Sequence, residues 1–305
     1  MANTLPADKK AYGYTATEYD ASVVEPFDMI EKIALQVIRE VKTIDPLEVF
    51  EKGQIGNGTT IEQVIVELVE GSDWNKNGSD TLDKKTIKMI SRYFKDITDT
   101  QFATTVQKSE IKKVMKGDSS YEEVAGRLVA TLTESERHDK FNKLKALLVA
   151  ACAENVANEA KAPIIKLQDA ALTSPEDVMK LIKNTVKGFK FVSNKFNGAK
   201  IERSTYADDI YIVAPYTVIS ALDVDFLAGV FNLSKVEMEA RLIETDATDG
   251  KVYILDRNAV VCYTKDYEMT EQWNGEGRFM NYYLTVERIY GVSPLFNAVY
   301  FDTKL

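Results

Sequence analysis

The stretch of this chain that most resembles a site for chemistry is Asp73-Trp74-Asn75-Lys76-Asn77-Gly78-Ser79-Asp80. A calcium-binding EF-hand loop places oxygens at positions 1, 3 and 5, glycine at 6 and a bidentate glutamate at 12. Asp73, Asn75, Asn77 and Gly78 fit, but position 12 is Lys84, which would set an ammonium against the cation, and no good helix precedes Asp73. A polar loop tip is the better account. Gly53-Gln54-Ile55-Gly56-Asn57-Gly58 lacks the Gly-Lys-Ser/Thr ending of a phosphate-binding loop and opens no helix. The single histidine, His138, lies in Ser135-Glu136-Arg137-His138-Asp139-Lys140, a run without an apolar residue, and reads as solvated. Ser-His-Asp and Cys-His mechanisms need a positioned histidine base, and zinc sites need His and Cys clusters; neither pattern is present. Paired acids (Asp208-Asp209, Glu122-Glu123, Asp223 with Asp225) are expected by chance among 47 acidic residues. The reading is no catalytic residue, no metal centre and no cofactor.

With 305 residues the chain is long enough for one large or two medium domains, and it can bury roughly three quarters of its unfolded surface. Its 45% apolar and 28% charged content is that of a folded protein rather than a solvated disordered one. No apolar run approaches the roughly 20 residues that cross a bilayer. Met1 to Lys10 is polar, without the apolar core of an export signal. Cys152 and Cys262 sit far apart in apolar stretches, which predicts buried free thiols rather than a disulfide. A net charge of −9 argues against a dedicated nucleic-acid binder. It does not argue against a container for DNA, because acidic surface repels phosphate over about 8 Å at physiological salt.

Several elements would position these residues. Residues 1 to about 24 carry Tyr12, Tyr14 and Tyr19 without clear period, as an extended arm or a frayed terminus would. Pro26 and the stripe Phe27, Ile30, Ile33, Ala34, Val37, Ile38, Val41 predict a helix ending before Asp45-Pro46. Residues 47–72 read as extended; the β-branched content of Ile61 to Val69 favours a strand. Residues 71–83 form a polar turn region, and 84–107 return as strand through Ile87, Ile90, Tyr93, Phe94 and Phe102 to Val106. The longest helical signal runs from a capping box at Ser120 and Glu123 to about Val156, with a polar break at Ser135 to Lys140. A further helix begins at Ser174-Pro175, with the face Val178, Leu181, Ile182, Thr185, Val186, Phe189 and Gly188 available to cap its end. Beyond it, Ile210 to Val213 reads as a buried strand ending at Pro215, and Asp225 can cap a short helix. Val252–Leu255 and Ala259–Tyr263 suggest a hairpin around Asp256-Arg257-Asn258, and Tyr282–Tyr290 and Phe296–Phe301 are strand-like. The order is neither alternating βαβ nor a repeat, so the fold class is α+β.

Three separated stretches carry a resemblance. The first is Asp45-Pro46-Leu47, Phe50, Lys52-Gly53-Gln54-Ile55, Gly58 and Thr60-Ile61-Glu62. The second is Asp209-Ile210-Tyr211-Ile212-Val213, Leu222-Asp223-Val224-Asp225, Leu227-Ala228 and Phe231-Asn232. The third is Asn281-Tyr282-Tyr283, Val292-Ser293 and Asn297-Ala298-Val299 to Phe301. In order and spacing these resemble the major head protein of the small podoviruses, short-tailed phages with protein-primed DNA. The resemblance implies the Hong Kong 97 capsid fold, with residues 1–25 as N-terminal arm, 26–44 as N-terminal helix and 45–95 as E-loop, a long β-hairpin laid over a neighbouring subunit. It further implies a peripheral domain from 96–160 and 278–305, with the helix from Ser120 as its spine, and an axial domain from 161–277. The chain ends near Phe301 without the immunoglobulin-like C-terminal domain of some members, and its Asp73–Asp83 segment carries none of the matching residues, which leaves the build of the E-loop tip open.

The function implied is a shell subunit, not an enzyme. It would assemble with itself into pentamers and hexamers, with scaffolding and portal proteins as partners. The shell would enclose double-stranded DNA without sequence-specific binding, involve no membrane, and be assembled in the host bacterial cytoplasm as the virion capsid. An isolated hairpin is marginal in water, so Val64, Val66 and Leu68, on one strand face, are expected to need a partner subunit. Lys52, Gly53, Gly56 and Gly58 join them as candidate assembly residues, the glycines giving either variable bends or one fixed turn. No Lys–Asn cross-link pair can be named. Competing readings are a cargo-filled compartment of the same fold, a carboxylate or metal-dependent cytosolic enzyme, and a calcium-responsive adaptor.

Overall fold

Ile210-Tyr211-Ile212-Val213 and Val252-Tyr253-Ile254-Leu255 are apolar without alternation, as strands covered on both faces must be. A computed structural model of the chain describes residues 42–56, 59–69, 71, 86–107, 121–152, 162–168, 170–222, 241–247 and 249–304, with backbone alone at 121–125 and 128. In it these two runs lie inside a five-stranded sheet. Its strands are β5 (Ile165–Lys166), β6 (Ile210–Pro215), β7 (Leu242–Thr245), β8 (Lys251–Asp256) and β11 (Ala298–Asp302), in the order β5-β11-β8-β6-β7. Alternate residues divide between two cores. Ile210, Ile212, Ala214, Val252, Ile254, Val299 and Phe301 face the helix α2 (Pro175–Phe189). Val213, Tyr253, Leu255 and Ala298 face the other way, toward Leu47, Phe50 and the C-terminal half of the helix α1 (Tyr121–Ala151).

The α2 stripe Val178, Ile182, Val186 and Phe189 is fully buried. Ser174 is the N-cap and Pro175 follows it, although the Ser174 side chain makes no cap hydrogen bond. That omission costs about 1 kcal/mol. Burying one large apolar side chain contributes roughly 1.5–3 kcal/mol, so the stripe decides. Gly188 does not terminate this helix. It lies within α2, a Cβ there would stand 2.8 Å from the Phe196 ring, and the helix ends at Lys190. The glycine is needed because Phe196 packs against that turn, with its ring centroid 5.2 Å from that of Phe189.

A second sheet has the order β1-β9-β10-β4, from β1 (Glu51–Gln54), β4 (Ile97–Gln107), β9 (Val260–Asn274) and β10 (Phe279–Val292). The inner half of β9 is buried and its outer half, from Tyr267, is exposed. The helix α1 lies over β10 and β4 through Leu132, Leu284, Val286 and Phe102. At 31 residues it is about 46 Å long.

One expectation is corrected by this arrangement. Val252–Leu255 and Ala259–Tyr263 do not pair as a hairpin. The 3-10 turn Arg257–Ala259, in which Asp256 accepts the Asn258 N–H at 2.8 Å, carries the chain from one sheet into the other. The helix α1 is continuous through Ser135 to Lys140, as the single long helical signal predicts, and the interruption of its apolar stripe there holds Glu136 and Lys140, one turn apart and buried in ion pairs. Across residues 274–279 the strands β9 and β10 are joined by a turn and pair along their length, while β11 returns to the five-stranded sheet. The proposed helix at 26–44 falls almost wholly outside the described residues. The Ser120–Glu123 capping box, the Asp73–Asp83 loop and the Asp225 cap lie outside them too.

Candidate functional site

Residues 45–56 and the β-hairpin that follows do different jobs. Leu47 and Phe50 are buried under α1 and the five-stranded sheet, and β1 runs parallel to β9, pairing Glu51 with Cys262. The hairpin itself is β2 (Ile61–Val66) with β3 (Met89–Phe94), in register from Ile61 opposite Phe94 to Val66 opposite Met89. One hairpin face turns inward at its base. Phe94 packs with Val261, Ile289 and Ile61. Gly291 leaves the space for it, since a Cβ there would lie 2.5 Å from the Phe94 ring.

The opposite face holds Val64, Val66 and Leu68 on the first strand and its extension, with Ile87, Met89 and Tyr93 across from them. All six are exposed, by between 51% and 66%. Directly opposed residues share a face, so these six lie together, with Ser91 opposite Val64 and Glu62 opposite Tyr93, on one face of a ribbon only two strands thick. The structure thus brings together the three residues chosen from the β2 pattern and adds three from the return strand. Ile87 and Tyr93 were visible as strand residues, but the cross-strand register was needed to put them on this face.

The other candidates are spread out. Gly53 has φ +96, which only glycine adopts freely, at the point where the β1–β9 register shifts between Glu51 and Gln54. Gly56 accepts a turn hydrogen bond from Thr59 N–H at 3.2 Å and has no positive φ. Gly58 lies outside the described residues. The Lys52 ammonium donates to the Asn258 carbonyl at 3.3 Å, and Gln63 reaches the same carbonyl at 3.5 Å. Burial lowers the Lys52 pKa, against a smaller opposing pull from Asp256. These contacts tie the hairpin base to the turn where the chain changes sheets.

Below the base lies a buried ionic cluster that the sequence reading missed. Lys140 bonds Glu51 Oε2 at 2.7 Å and faces Asp45 Oδ2 at 3.1 Å. Arg288 pairs with Glu136, donates to Thr264 Oγ1 at 3.0 Å and stands 3.8 Å from Glu51, which also accepts from the Thr264 hydroxyl at 3.1 Å. Burial works to raise the Glu51 pKa, but the hydrogen bond and charge of Lys140, with Arg288, together outweigh it and hold the carboxyl below its usual value. Burial likewise works to lower Lys140, and its bonds to Glu51 and Asp45 reverse the sign. The cluster joins the segment before the hairpin to α1 and β10. Its cations are saturated by carboxylates, so it is built to hold elements together, not to turn over a substrate.

The remaining chemical candidates stay apart. His138 is exposed and accepts from the Asn142 amide at 3.0 Å. Both cysteines are free. Burial pushes the Cys262 thiol up to about 12 and Cys152 up to about 11. Asp208, exposed, pairs with Arg241 at 2.8 Å. Among the described residues no group of three His, Cys, Asp or Glu side chains could hold a metal ion, and no helix is long and apolar enough to cross a membrane.

The model of the Phi29-like phage major capsid protein family matches residues 6–302. The major capsid protein of Bacillus phage GA-1 is 24% identical over 90% of this chain and 59% of its own length. That of Streptococcus phage Cp-1 is 19% identical over 72% of this chain and 62% of its own. The chain therefore spans about six tenths of the length of these relatives. Among solved structures, the Staphylococcus phage Andhra capsid is similar with a TM-score of 0.74 at 12% identity, covering 90% of this chain and 88% of that one. The cyanophage P-SCSP1u capsid is similar with a TM-score of 0.59 at 13% identity, covering 99% of both. These structural likenesses are of fold, and the fold is the α+β, Hong Kong 97-type capsid fold expected from the three matching stretches. The family model spans nearly all of the sequence, and with that breadth of match the chain belongs to the Phi29-like phage major capsid protein family.

Proposed function

We propose that this chain is a shell-building subunit that assembles with itself into the closed head of a tailed phage, enclosing double-stranded DNA. The observation that carries the reading is the apolar hairpin face of Val64, Val66, Leu68, Ile87, Met89 and Tyr93, exposed in the single chain. A contiguous apolar surface of this kind marks a protein contact. Subunits related by rotation present different edges to one another and close into rings when the rotation closes. The hairpin is about 20 Å long in its paired part, and its base is fixed by Phe94 and the ionic cluster.

In this reading the β2–β3 hairpin is the E-loop and α1 the spine helix. The four-stranded sheet forms the peripheral region and the five-stranded sheet the axial region. Scaffolding and portal proteins are the partners expected from the phage-head context, with assembly in the host cytoplasm. The acidic balance, −9 overall, suits a wall that must not hold DNA tightly. The test replaces Val64, Val66 and Leu68 by Ser and examines expressed protein by sizing chromatography and negative-stain electron microscopy, with and without a scaffolding partner. The native chain should give shells or capsomer rings, and the variant a folded monomer. Normal particles from the variant would overturn the role of this face.

A further inference from the structure

A second apolar strip is uncovered far from the hairpin. On β9, Tyr267, Met269 and Trp273 share one face and are 42%, 42% and 53% exposed. Their partners across β10 are Val286, Leu284 and Met280. Val286 and Leu284 are buried beneath Leu132 of α1. The strip is therefore on the α1 side of the sheet, flanking the helix and left open because α1 sits over β10 and β4.

The chain upstream of β1 is aimed at this strip. Asp45 lies against Lys140 of α1 at 3.1 Å. Two residues earlier, the Thr43 N–H and hydroxyl both donate to Glu134, at 2.7 and 2.6 Å, and the Thr43 carbonyl accepts from Arg137 at 3.5 Å. From Lys140 to Glu134 is about 9 Å along the helix toward its N-terminal half. The same interval on β10 runs from Arg288, which bonds Glu136, to Val286 and Leu284, which pack on Leu132. Their β9 partners there are Tyr267 and Met269. Followed toward its N-terminus, the backbone travels along the β9 flank of α1 and leaves the described residues at Lys42, level with the strip.

We propose that this strip is the seat of the chain's own residues 27–41, whose apolar positions Phe27, Ile30, Ile33, Ala34, Val37, Ile38 and Val41 recur at helical spacing. Two features select this occupant over a foreign partner: the heading fixed by Thr43, and the 41 residues of chain that precede Lys42, which carry an apolar stripe at helical spacing. Seated there, the segment continues the clamp begun by Asp45 and Thr43, and couples the N-terminal region to the base of the hairpin through α1.

Trp74 and Trp273 are the only tryptophans, so in a Trp74→Phe background Trp273 reports on the strip. Iodide quenching of its fluorescence, on dilute unassembled full-length chain, should be weak. It should rise, with a red shift of emission, when Val37, Ile38 and Val41 are replaced by Ser, the circular dichroism of the sheets being unchanged. Equal quenching in both chains would overturn the proposal. A Val41→Cys, Met269→Cys pair in a Cys152→Ser background gives an independent reading. Mild oxidation should link the two within one chain, whereas disulfide-linked dimers, or protection of Trp273 only at assembling concentrations, would assign the strip to a second copy and overturn the intrachain seat.

Discussion

Lys140→Met leaves two carboxylates facing a void of charge, and the structure sets the size of the effect. Asp45 has no exposed side-chain surface, and the ammonium at 3.1 Å is the partner of its Oδ2. Glu51 loses its 2.7 Å bond and keeps Thr264 and the more distant Arg288. Removing one partner of a buried pair costs about 3–5 kcal/mol, because the remaining charge is stranded. A domain has about 5–15 kcal/mol of stability in all. Methionine fills most of the lysine's volume, so little of the loss comes from a cavity. In urea titrations of unassembled protein at neutral pH, a slope of about 1–3 kcal/mol per molar predicts a midpoint lower by at least about 1 M. The double variant Asp45→Asn/Lys140→Met should recover part of the loss, giving a measurable coupling. A shift below about 0.5 kcal/mol, within the range of ordinary surface substitutions, would refute the assignment of this cluster as the joint between hairpin base and helix.

The same cluster predicts an acid dependence. The folded Glu51 carboxyl titrates below its ordinary 4.5, so its contribution is complete above about that pH and is lost as the pH falls through the folded value; urea midpoints across the acid range should show this slope, and Lys140→Met should flatten it. Gly291→Ala drives a Cβ to within 2.5 Å of Phe94 and should lower the melting temperature by an amount equivalent to about 1–3 kcal/mol, with Phe94→Leu in the same chain restoring part of it. Asn297→Ala removes the donor that bonds Thr205 Oγ1 at 3.1 Å and the acceptor for Asn197 at 3.3 Å, both fully buried; a loss of about 1–3 kcal/mol should appear in thermal unfolding. Gly53→Ala meets no atom within 4 Å, so its cost, about 1–2 kcal/mol, should come from φ alone, and Gly53→Asn should cost less.

What could be read in advance was whatever a local pattern determines. The α2 stripe and the exposed Val64-Val66-Leu68 face follow from periodicities of 3.6 and 2 that no distant contact overrides, and the two-sided burial of β6 from an apolar run without alternation. The outer half of β9 went unassigned although Tyr267, Met269 and Trp273 alternate with polar residues; its state depends on β10 and β4, which come from distant parts of the chain. Glu136 and Lys140 read as solvent-facing because charge usually is. Their burial depends on Arg288, Asp45 and Glu51, and no window of sequence contains all five. The Val252–Tyr263 turn was located correctly but its topology was not, since a tight turn between two apolar runs looks alike whether it folds a strand back or hands it to another sheet.

The place of β11 in the five-stranded sheet has a consequence for timing. This strand lies between β5 and β8, with Val299 paired to both Ile165 and Ile254. Until residue 302 has left the ribosome, β8 has an open edge and the two cores on either side of the sheet lack Ala298, Val299 and Phe301. The five-stranded sheet is thus closed by the last strand in the sequence, and a chain truncated before Ala298 should leave β8 open on one edge and both cores incomplete.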